Sequence, residues 1–521
     1  MRFSRTLESS PHCGPSPDGQ LIAILLPSSI VVRVVESLEI FRTIKLPPDL
    51  AGGATHFAWS PSSTKILVAV TEQIHVYSVR DGDFHGTAKI SPSFAKSAFI
   101  DFGATDDEIC IWSPFGVKLT LINFSTSKAV EIANPKFYHA TSAARACSFR
   151  ASTQHLALLT RTSGKDMISI HSSVTRELER SWFPDTIDAQ GLAWTPDERW
   201  LVVWESSAQA PRVLFYTPDG HIFKDWRGPL QRASQDMGLQ SGAGVRTVTI
   251  SPDSRYAAIA NGSTCLCIVN MPSMAEAMRL RHPPVIHPRD TLQVWQEQNN
   301  IPNTEPFPPP SFVKATQAIT PQWTALNGLQ EPTSGCNLAK FDSSSSLLAT
   351  RLEDAPGTIF IWDILSSDLR AVLMFHADVT KLEWHPMQPE LLLMGCEGGS
   401  YGSLVFVWDP LSHGPSSINT DRMTIGGKTH ATWLKTTTES AAIFITNSTT
   451  CMVVSLADSD GEALPWRDGP ATTYPINHES DTGKHSPRFA SPLDDAENSI
   501  NLDTDDDNSS ELDDTFQFKF H

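Results

Sequence analysis

Residues 347–363 read LLATRLEDAPGTIFIWD, and residues 391–409 read LLLMGCEGGSYGSLVFVWD. In each stretch two apolar runs flank a segment rich in turn-forming residues, and the second run ends in Trp-Asp. The two tryptophans, Trp362 and Trp408, lie 46 residues apart. Two copies of one unit at this spacing predict a repeat architecture built from short strands.

A tight turn marks the start of the unit, and its clearest form is Ser/Thr-Pro-Asp after an aromatic or apolar residue. Proline sets φ for such a turn, and Asp or Ser closes it through its side chain. With worn copies included, the turn occurs nine times, and its third position falls at 17, 61, 104, 151, 196, 252, 343, 386 and 435. Most steps are 43 to 49 residues, one is 56 and one is 91.

An apolar run follows each turn about 15 residues later and is predicted to be a strand, because it is short, β-branched and bounded by turns. The units predict an all-β fold of the WD40-type β-propeller class. Nine units exceed the familiar seven-bladed ring, so one larger ring, two unequal propellers, or units that form no blade all remain open. The signature residues are interpreted as structural: Pro17, Asp18, Pro196, Asp197, Pro252, Asp253, Trp362, Asp363, Trp408 and Asp409.

The repeats divide the chain into two blocks, with units 1–6 in residues 1–281 and units 7–9 in residues 336–456. The stretch from Arg2 to Leu7 is predicted to complete the last blade and protect its edge. Residues 282–335 interrupt the repeat and contain ten prolines, which predicts an extended surface loop. One more strand is possible within that insertion, at Thr291–Trp295.

Residues 457–521 hold 16 Asp/Glu against 4 Lys/Arg, which is two-thirds of the net charge of −18. They are poor in large aliphatic residues and are predicted to form a disordered acidic tail. Two Ser-Pro pairs make Ser486 and Ser491 candidate phosphorylation sites. At the end of the tail, Phe516, Phe518 and Phe520 alternate with polar residues, as in a peptide that adds to a sheet edge or docks in a groove.

Several function classes are disfavoured by composition and spacing. Charge outside the tail is nearly balanced, so no nucleic-acid face is predicted. No membrane span is expected, because no run of 18 apolar residues occurs. The eight cysteines form no CxxC pair, and no histidine spacing matches a metal site, so no cofactor, metal or small-molecule substrate is predicted. The simplest localisation is the reducing cytosol or nucleus.

Two local motifs have competing interpretations. Residues 398–402 match the G-x-S-x-G nucleophile elbow, which would need a helix after the serine. A hairpin turn inside a blade is the stronger interpretation, because another strand follows at once. His376 lies before a first strand, where WD-repeat proteins often place a histidine that bonds to the strand tryptophan, so a structural role is predicted for it.

Order and spacing of several segments resemble one family from Met1 to about Leu456: the centrosomal and spindle-pole family called WD-repeat protein eight. The likeness is carried by segments 1–4, 16–19, 38–40, 191–196, 202–204, 214–220, 282–283, 294–297, 348–351 and 361–363. The Leu-Ala-Thr-Arg segment and the His-Pro insertion are more specific than the generic turn and Trp-Asp signatures.

That resemblance implies a non-enzymatic scaffold at the spindle pole body or microtubule-organising centre, in the cytoplasm and cytoskeleton. The implied partners are a coiled-coil microtubule-anchoring protein and a minus-end-directed motor of the kinesin-14 type, and through them microtubule minus ends in the mitotic spindle. An alternative is an adaptor or substrate receptor of another complex, such as a ubiquitin ligase. A propeller-linked serine hydrolase is the weaker alternative.

Overall fold

Nine β-sheets, each containing one of the nine predicted turns between its first and second strands, form the fold. They are named blades 1 to 9 in chain order. The computed structural model describes residues 1–50, 53–80, 84–90, 99–137, 145–228, 244–298, 310–324, 335–398, 403–418, 420, 423, 428–435, 440–457 and the backbone of 518–520.

Blades 1 to 4 are antiparallel sheets whose four sequential strands run in order across the blade. The strands are Cys13–Pro15, Leu21–Leu26, Ser29–Val34 and Ile40–Lys45 in blade 1; His56–Trp59, Lys65–Ala69, Gln73–Ser78 and His85–Lys89 in blade 2; Phe99–Phe102, Glu108–Trp112, Lys118–Asn123 and Lys128–Ala133 in blade 3; and Cys147–Phe149, Leu156–Thr162, Lys165–His171 and Leu178–Trp182 in blade 4.

Blades 5 to 9 repeat this arrangement, with extra strands in blades 7 and 9. The strands are Ala189–Trp194, Leu201–Glu205, Val213–Tyr216 and Ile222–Trp226 in blade 5; Val245–Ile250, Tyr256–Asn261, Cys265–Asn270 and Ala275–Arg281 in blade 6; Cys336–Phe341, Leu347–Leu352, Thr358–Asp363 and Asp368–Met374 in blade 7; Asp378–Trp384, Leu392–Glu397, Ser403–Trp408 and Ser416–Ser417 in blade 8; and His430–Leu434, Ala442–Thr446 and Thr450–Ser455 in blade 9.

Burial explains why the middle strands read as continuous apolar runs. Both faces of a blade pack on its neighbours, so all five residues of Glu108–Trp112 are buried. The fourth strand of the same blade, Lys128–Ala133, contains no buried residue, and from Ala129 onward exposed and half-buried residues alternate. The pattern therefore changes from the middle to the outer edge of each blade, as expected for sheets that stack around a ring.

One closed ring of nine blades results. Each of nine hydrophobic clusters joins two consecutive blades. The cluster that closes the ring packs Ile22 and Ile24 of blade 1 against Phe444 and Val453 of blade 9. This resolves the blade number left open by the sequence, and it exceeds the four to eight blades that propellers commonly have.

The N-terminus completes blade 9, as predicted. Arg2–Phe3 pairs antiparallel with the third strand of that blade, Arg2 opposite Ser455. Leu7–Glu8 pairs farther along the same strand, Leu7 opposite Cys451. The first residues of the chain are thus hydrogen-bonded to its last blade, which leaves that third strand without an open edge.

The insertion contributes strands to blade 7, so its description as a loop is only partly right. Gln293–Glu297 pairs parallel with Asp368–Met374, and Phe312–Lys314 pairs antiparallel with Gln293–Glu297. Trp295 is buried against blades 7 and 8. The strand within the insertion is one that the sequence allowed, and it is two residues farther along the chain.

At the end of the tail, Phe518–Phe520 forms a strand on the outer edge of blade 2. Of the two modes considered for the alternating phenylalanines, addition to a sheet edge is the one that the structure contains. Residues 458–517 lie outside the described residues, and so do the candidate phosphorylation sites Ser486 and Ser491.

Wherever the structure describes the chain, helical structure is limited to short pieces, including the 3-10 turns Pro48–Leu50 and Pro114–Gly116. In the described part of the chain, no helix is long and apolar enough to cross a membrane. Within the same residues, no group of three or more His, Cys, Asp or Glu side chains is placed to hold a metal ion.

Candidate protein-interaction site on the turn face

The side of the ring that carries the nine first-to-second turns is here called the turn face. Each Ser/Thr-Pro-Asp turn is held by one hydroxyl that both donates and accepts. In blade 6, Ser251 Oγ donates to Asp253 Oδ1 at 2.6 Å and accepts from the Tyr256 backbone N–H at 2.9 Å. Thr195 and Ser16 do the same in blades 5 and 1. The signature residues Pro17, Asp18, Pro196, Asp197, Pro252 and Asp253 therefore lie where turn formation requires them.

Hydrogen bonds also connect each of several turns to the next one around the ring. A backbone N–H in one turn donates to a side chain located two residues after the third turn position of the following blade. The bonds are Asp18 N to Ser63 Oγ (3.0 Å), Ser62 N to Asp106 Oδ1 (3.0 Å), Ser152 N to Glu198 Oε1 (2.6 Å), Asp197 N to Ser254 Oγ (2.9 Å) and Asp253 N to Ser345 Oγ (3.2 Å).

Positive φ angles place these acceptors. Ser63, Ser254 and Ser345 have φ of 64°, 57° and 65°, in the left-handed region that few non-glycine residues occupy. At the junction of blades 9 and 1 the corresponding residue is Gly19 (φ 73°), where a Cβ would lie 2.5 Å from the backbone nitrogen of Lys435. The turns therefore form a mutually braced rim, which sequence reading did not find because the bonds join different repeats.

A cavity of about 470 Å³ opens on this rim among blades 8, 9, 1, 2 and 3. It is lined by Pro15, Ser16, Pro17, Ala58, Trp59, Asp101, Glu383, Trp384, Pro386, Thr432, Trp433 and Lys435. This group of residues is named the mouth. Its residues are far apart in sequence and meet only because the ring closes between blades 9 and 1.

Three indoles stiffen the mouth by bonding to first strands of neighbouring blades. Trp59 Nε1 donates to the Gly14 carbonyl at 3.0 Å, and Trp433 Nε1 donates to the Glu383 carbonyl at 2.8 Å. Trp384 Nε1 donates to the first strand of blade 7 at 2.8 Å. Trp384 and Trp433 are nearly fully buried between blades and Trp59 is half-buried, so these bonds fix the wall of the mouth.

Two carboxyl groups supply the polar part of the mouth. Burial raises the pKa of Asp101, and a hydrogen bond from the Phe102 backbone N–H opposes this in part. Glu383 accepts from Thr432 Oγ1 at 3.0 Å and pairs with Lys381 at 2.7 Å. Carboxyl groups beside the half-buried indole of Trp59 suit cationic or amphipathic side chains of a partner protein.

The Trp-Asp residues lie away from the mouth, in the blade interiors. Trp362 Nε1 donates to Thr350 Oγ1 at 2.9 Å, and the same hydroxyl is 2.9 Å from His282 Nε2. His282 Nδ1 is 2.7 Å from the Thr264 carbonyl, so Nδ1 carries the proton and Nε2 accepts. Burial lowers the pKa of His282 to about 4.

Blade 8 lacks this network although it has the same signature. The indole N–H of Trp408 is buried and has no hydrogen-bond partner among the described residues. In the strand register, Trp408 lies opposite Leu392, just as Trp362 lies opposite Leu348. Two residues farther along the chain, where blade 7 has Thr350, blade 8 therefore has Met394, which offers no hydroxyl.

The prediction for His376 is wrong. Its side chain is exposed, and its backbone N–H donates to Glu297 Oε2 of the insertion at 2.8 Å. His282, which directly follows the last strand of blade 6, packs edge-on against the strand tryptophan Trp362 and shares the Thr350 hydroxyl with it. Because the insertion separates it from blade 7, sequence distance concealed the relation.

Asp363 and Asp409 close the turns that follow their strands. Asp363 Oδ1 accepts from the backbone N–H groups of Leu365 (2.9 Å) and Ser366 (3.1 Å), and Asp409 Oδ1 accepts from Leu411 N–H (2.8 Å). An asparagine does this in two other blades, at Asn123 and Asn270. The second residue of the signature is thus a turn cap that a related side chain can replace.

The G-x-S-x-G motif joins two paired strands of blade 8. Leu392–Glu397 precedes it and Ser403–Trp408 follows it, with Glu397 opposite Ser403. Residues 399–402, including the serine, lie outside the described residues. A nucleophile elbow leads from a strand into a helix, whereas this motif leads from a strand into an antiparallel strand.

Comparison with known proteins agrees with the fold. No protein-family model matches the chain. It is 26% identical over 430 residues to the WD repeat-containing protein WRAP73 of Mus musculus, covering 79% of this chain and 87% of that protein. It is 21% identical over 410 residues to an uncharacterized WD repeat-containing protein of Schizosaccharomyces pombe, covering 75% and 76%.

Solved structures similar to this one include the Dos1 propeller, with a TM-score of 0.46, 10% identity, and coverage of 79% of this chain and 94% of that one. A eukaryotic initiation factor has a TM-score of 0.49, 12% identity, and coverage of 80% and 90%. The nine-bladed ring and its turns make the chain a β-propeller of the WD40 type, and in sequence it is similar to two WD repeat-containing proteins.

Proposed function

We propose that this protein is a non-enzymatic scaffold of the spindle pole or microtubule-organising centre. Its partners are a coiled-coil microtubule-anchoring protein and a minus-end-directed motor of the kinesin-14 type, and together they tether microtubule minus ends. Support for the location and the partners comes from the resemblance of the segments between Met1 and Leu456 to the WD-repeat protein eight family.

The observation that supports a scaffold is the mouth on its braced rim. Trp59, Trp384 and Trp433 are held in place by backbone bonds before any partner arrives. A site whose walls are already fixed loses little conformational entropy on binding. Asp101 and Glu383 select a segment with Lys or Arg among its apolar residues, and such residues are frequent on the surfaces of coiled coils.

Contact with microtubules runs through the partners in this proposal. The chain has a net charge of −18, and the microtubule surface is itself acidic, so direct attraction is unfavourable. Purified full-length protein is expected to stay in the supernatant when microtubules are pelleted, and to pellet once the motor or the anchoring protein is added.

The test combines localisation with purification of partners. Fluorescently tagged protein is followed through mitosis, and the wild type is purified beside the double variant Asp101→Asn/Glu383→Gln, which keeps side-chain size. Because both carboxylates lose their charge, recovery of the coiled-coil partner is expected to fall about tenfold, near 1.4 kcal/mol. Glu36→Gln, at an exposed site in blade 1, is the control and is expected to change nothing.

Other outcomes would overturn the proposal. Absence of tagged protein from spindle poles would refute the location. Enrichment of cullin-adaptor subunits in place of spindle-pole proteins would indicate a ubiquitin-ligase adaptor. Equal recovery of partners with wild type and double variant would remove the mouth from the binding site.

A further inference from the structure

The outer edge of blade 2 is occupied by the other end of the chain. Phe518–Phe520 pairs antiparallel with His85–Lys89, and the register places Phe520 opposite Gly86, Lys519 opposite Thr87 and Phe518 opposite Ala88. This makes blade 2 a five-stranded sheet. None of the repeat signatures accounts for this fifth strand, which comes from the far end of the acidic tail.

Backbone groups point alternately inward and outward along the edge strand, and this alternation shows which N–H and C=O groups can pair with an added strand. The Phe84 carbonyl accepts from Ser78 N–H, and Ile90 N–H donates to the Glu72 carbonyl, so both residues direct their backbone groups toward the third strand. Residues alternate along an antiparallel strand. Thr87 therefore directs its N–H and C=O outward, and it lies opposite Lys519 at the centre of the added strand.

The edge strand is small at the two positions opposite the phenylalanines. Ala88 is fully buried. Gly86 has no room for a side chain, because a Cβ there would lie 2.8 Å from a ring carbon of Phe124 in blade 3. The strand that receives two phenylalanines thus has nothing larger than a methyl group opposite either of them.

The edge of blade 2 also lacks the usual protection of an outer strand. Charged residues inside an edge strand discourage another strand from adding. The fourth strands of blades 1, 3, 4, 5 and 6 each contain such a charge, at Arg42, Glu131, Glu179, Lys224 and Glu276. The three central residues of His85–Lys89 are Gly, Thr and Ala. Blade 7 has its edge covered by the insertion.

The tether is long enough for this contact to form within one molecule. Residues 458–517 separate blade 9 from the added strand, and 60 residues reach about 200 Å at full extension. A strand tethered to its own acceptor does not depend on protein concentration. Three residues pair in the described part of the segment, and so short a ladder of backbone bonds can exchange.

From these observations we propose that the outer edge of blade 2 is a strand-addition site whose resident ligand is the chain's own C-terminal segment. The segment folds back and caps an edge strand whose three central residues carry no charge. A partner that presents an extended segment with phenylalanine at alternate positions gains this edge only by displacing the C-terminus. This inference does not depend on the partners proposed above.

The first experiment measures hydrogen exchange in the full-length protein. Phe518→Glu/Phe520→Glu removes both alternating aromatics, and exchange of the Thr87 amide is expected to rise about tenfold as its partner strand leaves. Phe489→Glu, a phenylalanine elsewhere in the tail, is the matched control and is expected to leave exchange unchanged. Unchanged exchange at Thr87 in the double variant would overturn the proposal.

A second experiment tests the site as a binding site. A labelled peptide of residues 511–521 is added to wild type and to the double variant, whose edge is free. Binding is expected to be about tenfold tighter to the variant, because the wild-type segment competes. Equal binding to both, or binding to neither, would refute the proposal.

The same measurements separate the possible occupants. If protection of Thr87 in wild type rises with protein concentration, the occupant is the C-terminus of a second copy, and the intramolecular proposal fails. Thr87→Pro serves as an acceptor-side variant, since it removes the outward N–H, together with the hydroxyl that lies near His75 and His85. If it does not fold, the two tail variants still decide the result.

Discussion

Blades 7 and 8 have the same Trp-Asp signature and use it differently. In blade 7, Trp362 joins Thr350 and His282 in a buried hydrogen-bonded network. In blade 8, Met394 replaces the threonine, and the indole N–H of Trp408 has no partner in the described structure. The same signature thus belongs to a hydrogen-bonded network in blade 7 and, in blade 8, to an indole with no partner among the described residues. The residue on the neighbouring strand decides what the indole N–H can bond.

The largest expected effect comes from removing the histidine of blade 7. His282→Ala removes the imidazole's hydrogen bonds to the Thr350 hydroxyl and the Thr264 carbonyl, and it removes a ring packed at 4.8 Å and 5.2 Å from the rings of Phe360 and Trp362. The free energy of unfolding is expected to fall by about 3 kcal/mol, measured by urea titration. His376→Ala, the corresponding change before blade 8, is expected to cost less than about 0.5 kcal/mol. Equal costs would contradict the difference between the blades.

A pH titration should show the same network. The unfolded chain protonates His282 near its ordinary pKa of 6.5, whereas burial lowers the folded pKa to about 4. The contribution of the neutral histidine is therefore fully present above pH 6.5 and is lost as the pH falls toward 4. The loss amounts to about 3 kcal/mol over that range.

The control for pH is the His282→Ala protein itself. Its difference in unfolding free energy from wild type is expected to shrink steadily between pH 6.5 and 4. His75, whose pKa burial also lowers to about 4, is present in both proteins and cancels in the comparison. A difference that does not change with pH would show that the pKa of His282 is the same in the folded and the unfolded chain.

Replacing each tryptophan by phenylalanine sharpens the comparison further. Trp362→Phe takes the indole donor from Thr350 and leaves a small cavity, with an expected cost of about 2 kcal/mol. Trp408→Phe loses no hydrogen bond and removes an unpaired N–H, so about 1 kcal/mol or less is expected. Urea midpoints of the two variants measure the difference, and a larger cost at Trp408 would reverse the assignment.

The smallest expected effect separates the two aspartates. Asp363→Ala frees two backbone N–H groups in an exposed turn, for about 1 kcal/mol, and Asp409→Ala frees one, for about 0.5 kcal/mol. Asn at either position should restore most of the stability, since Asn123 and Asn270 cap the equivalent turns. Failure of both asparagine variants would show that charge, rather than turn capping, is what these positions need.

Repeat spacing predicted the nine first-to-second turns and the third strand of every blade, because each turn depends on a few adjacent residues. The N-terminal strand was also predictable, since an unpaired last blade needs an edge partner. Three features could not be predicted from the sequence: the role of His282, the bonds between turns such as Asp197 to Ser254, and the mouth. Each joins residues of different blades, whose distance in sequence contains no periodic signal.

By itself the sequence determined the unit: a turn set by proline and a hydroxyl, apolar middle strands, and a Trp-Asp or Asn cap. These are local, because hydrogen bonds and φ preferences act over a few residues. The tertiary structure decided that nine units close into one ring, that the insertion and the C-terminus cover the edges of blades 7 and 2, and that Trp59, Trp384 and Trp433 meet in one mouth. Such outcomes depend on how blades pack and on which edges stay open, and only the assembled ring specifies both.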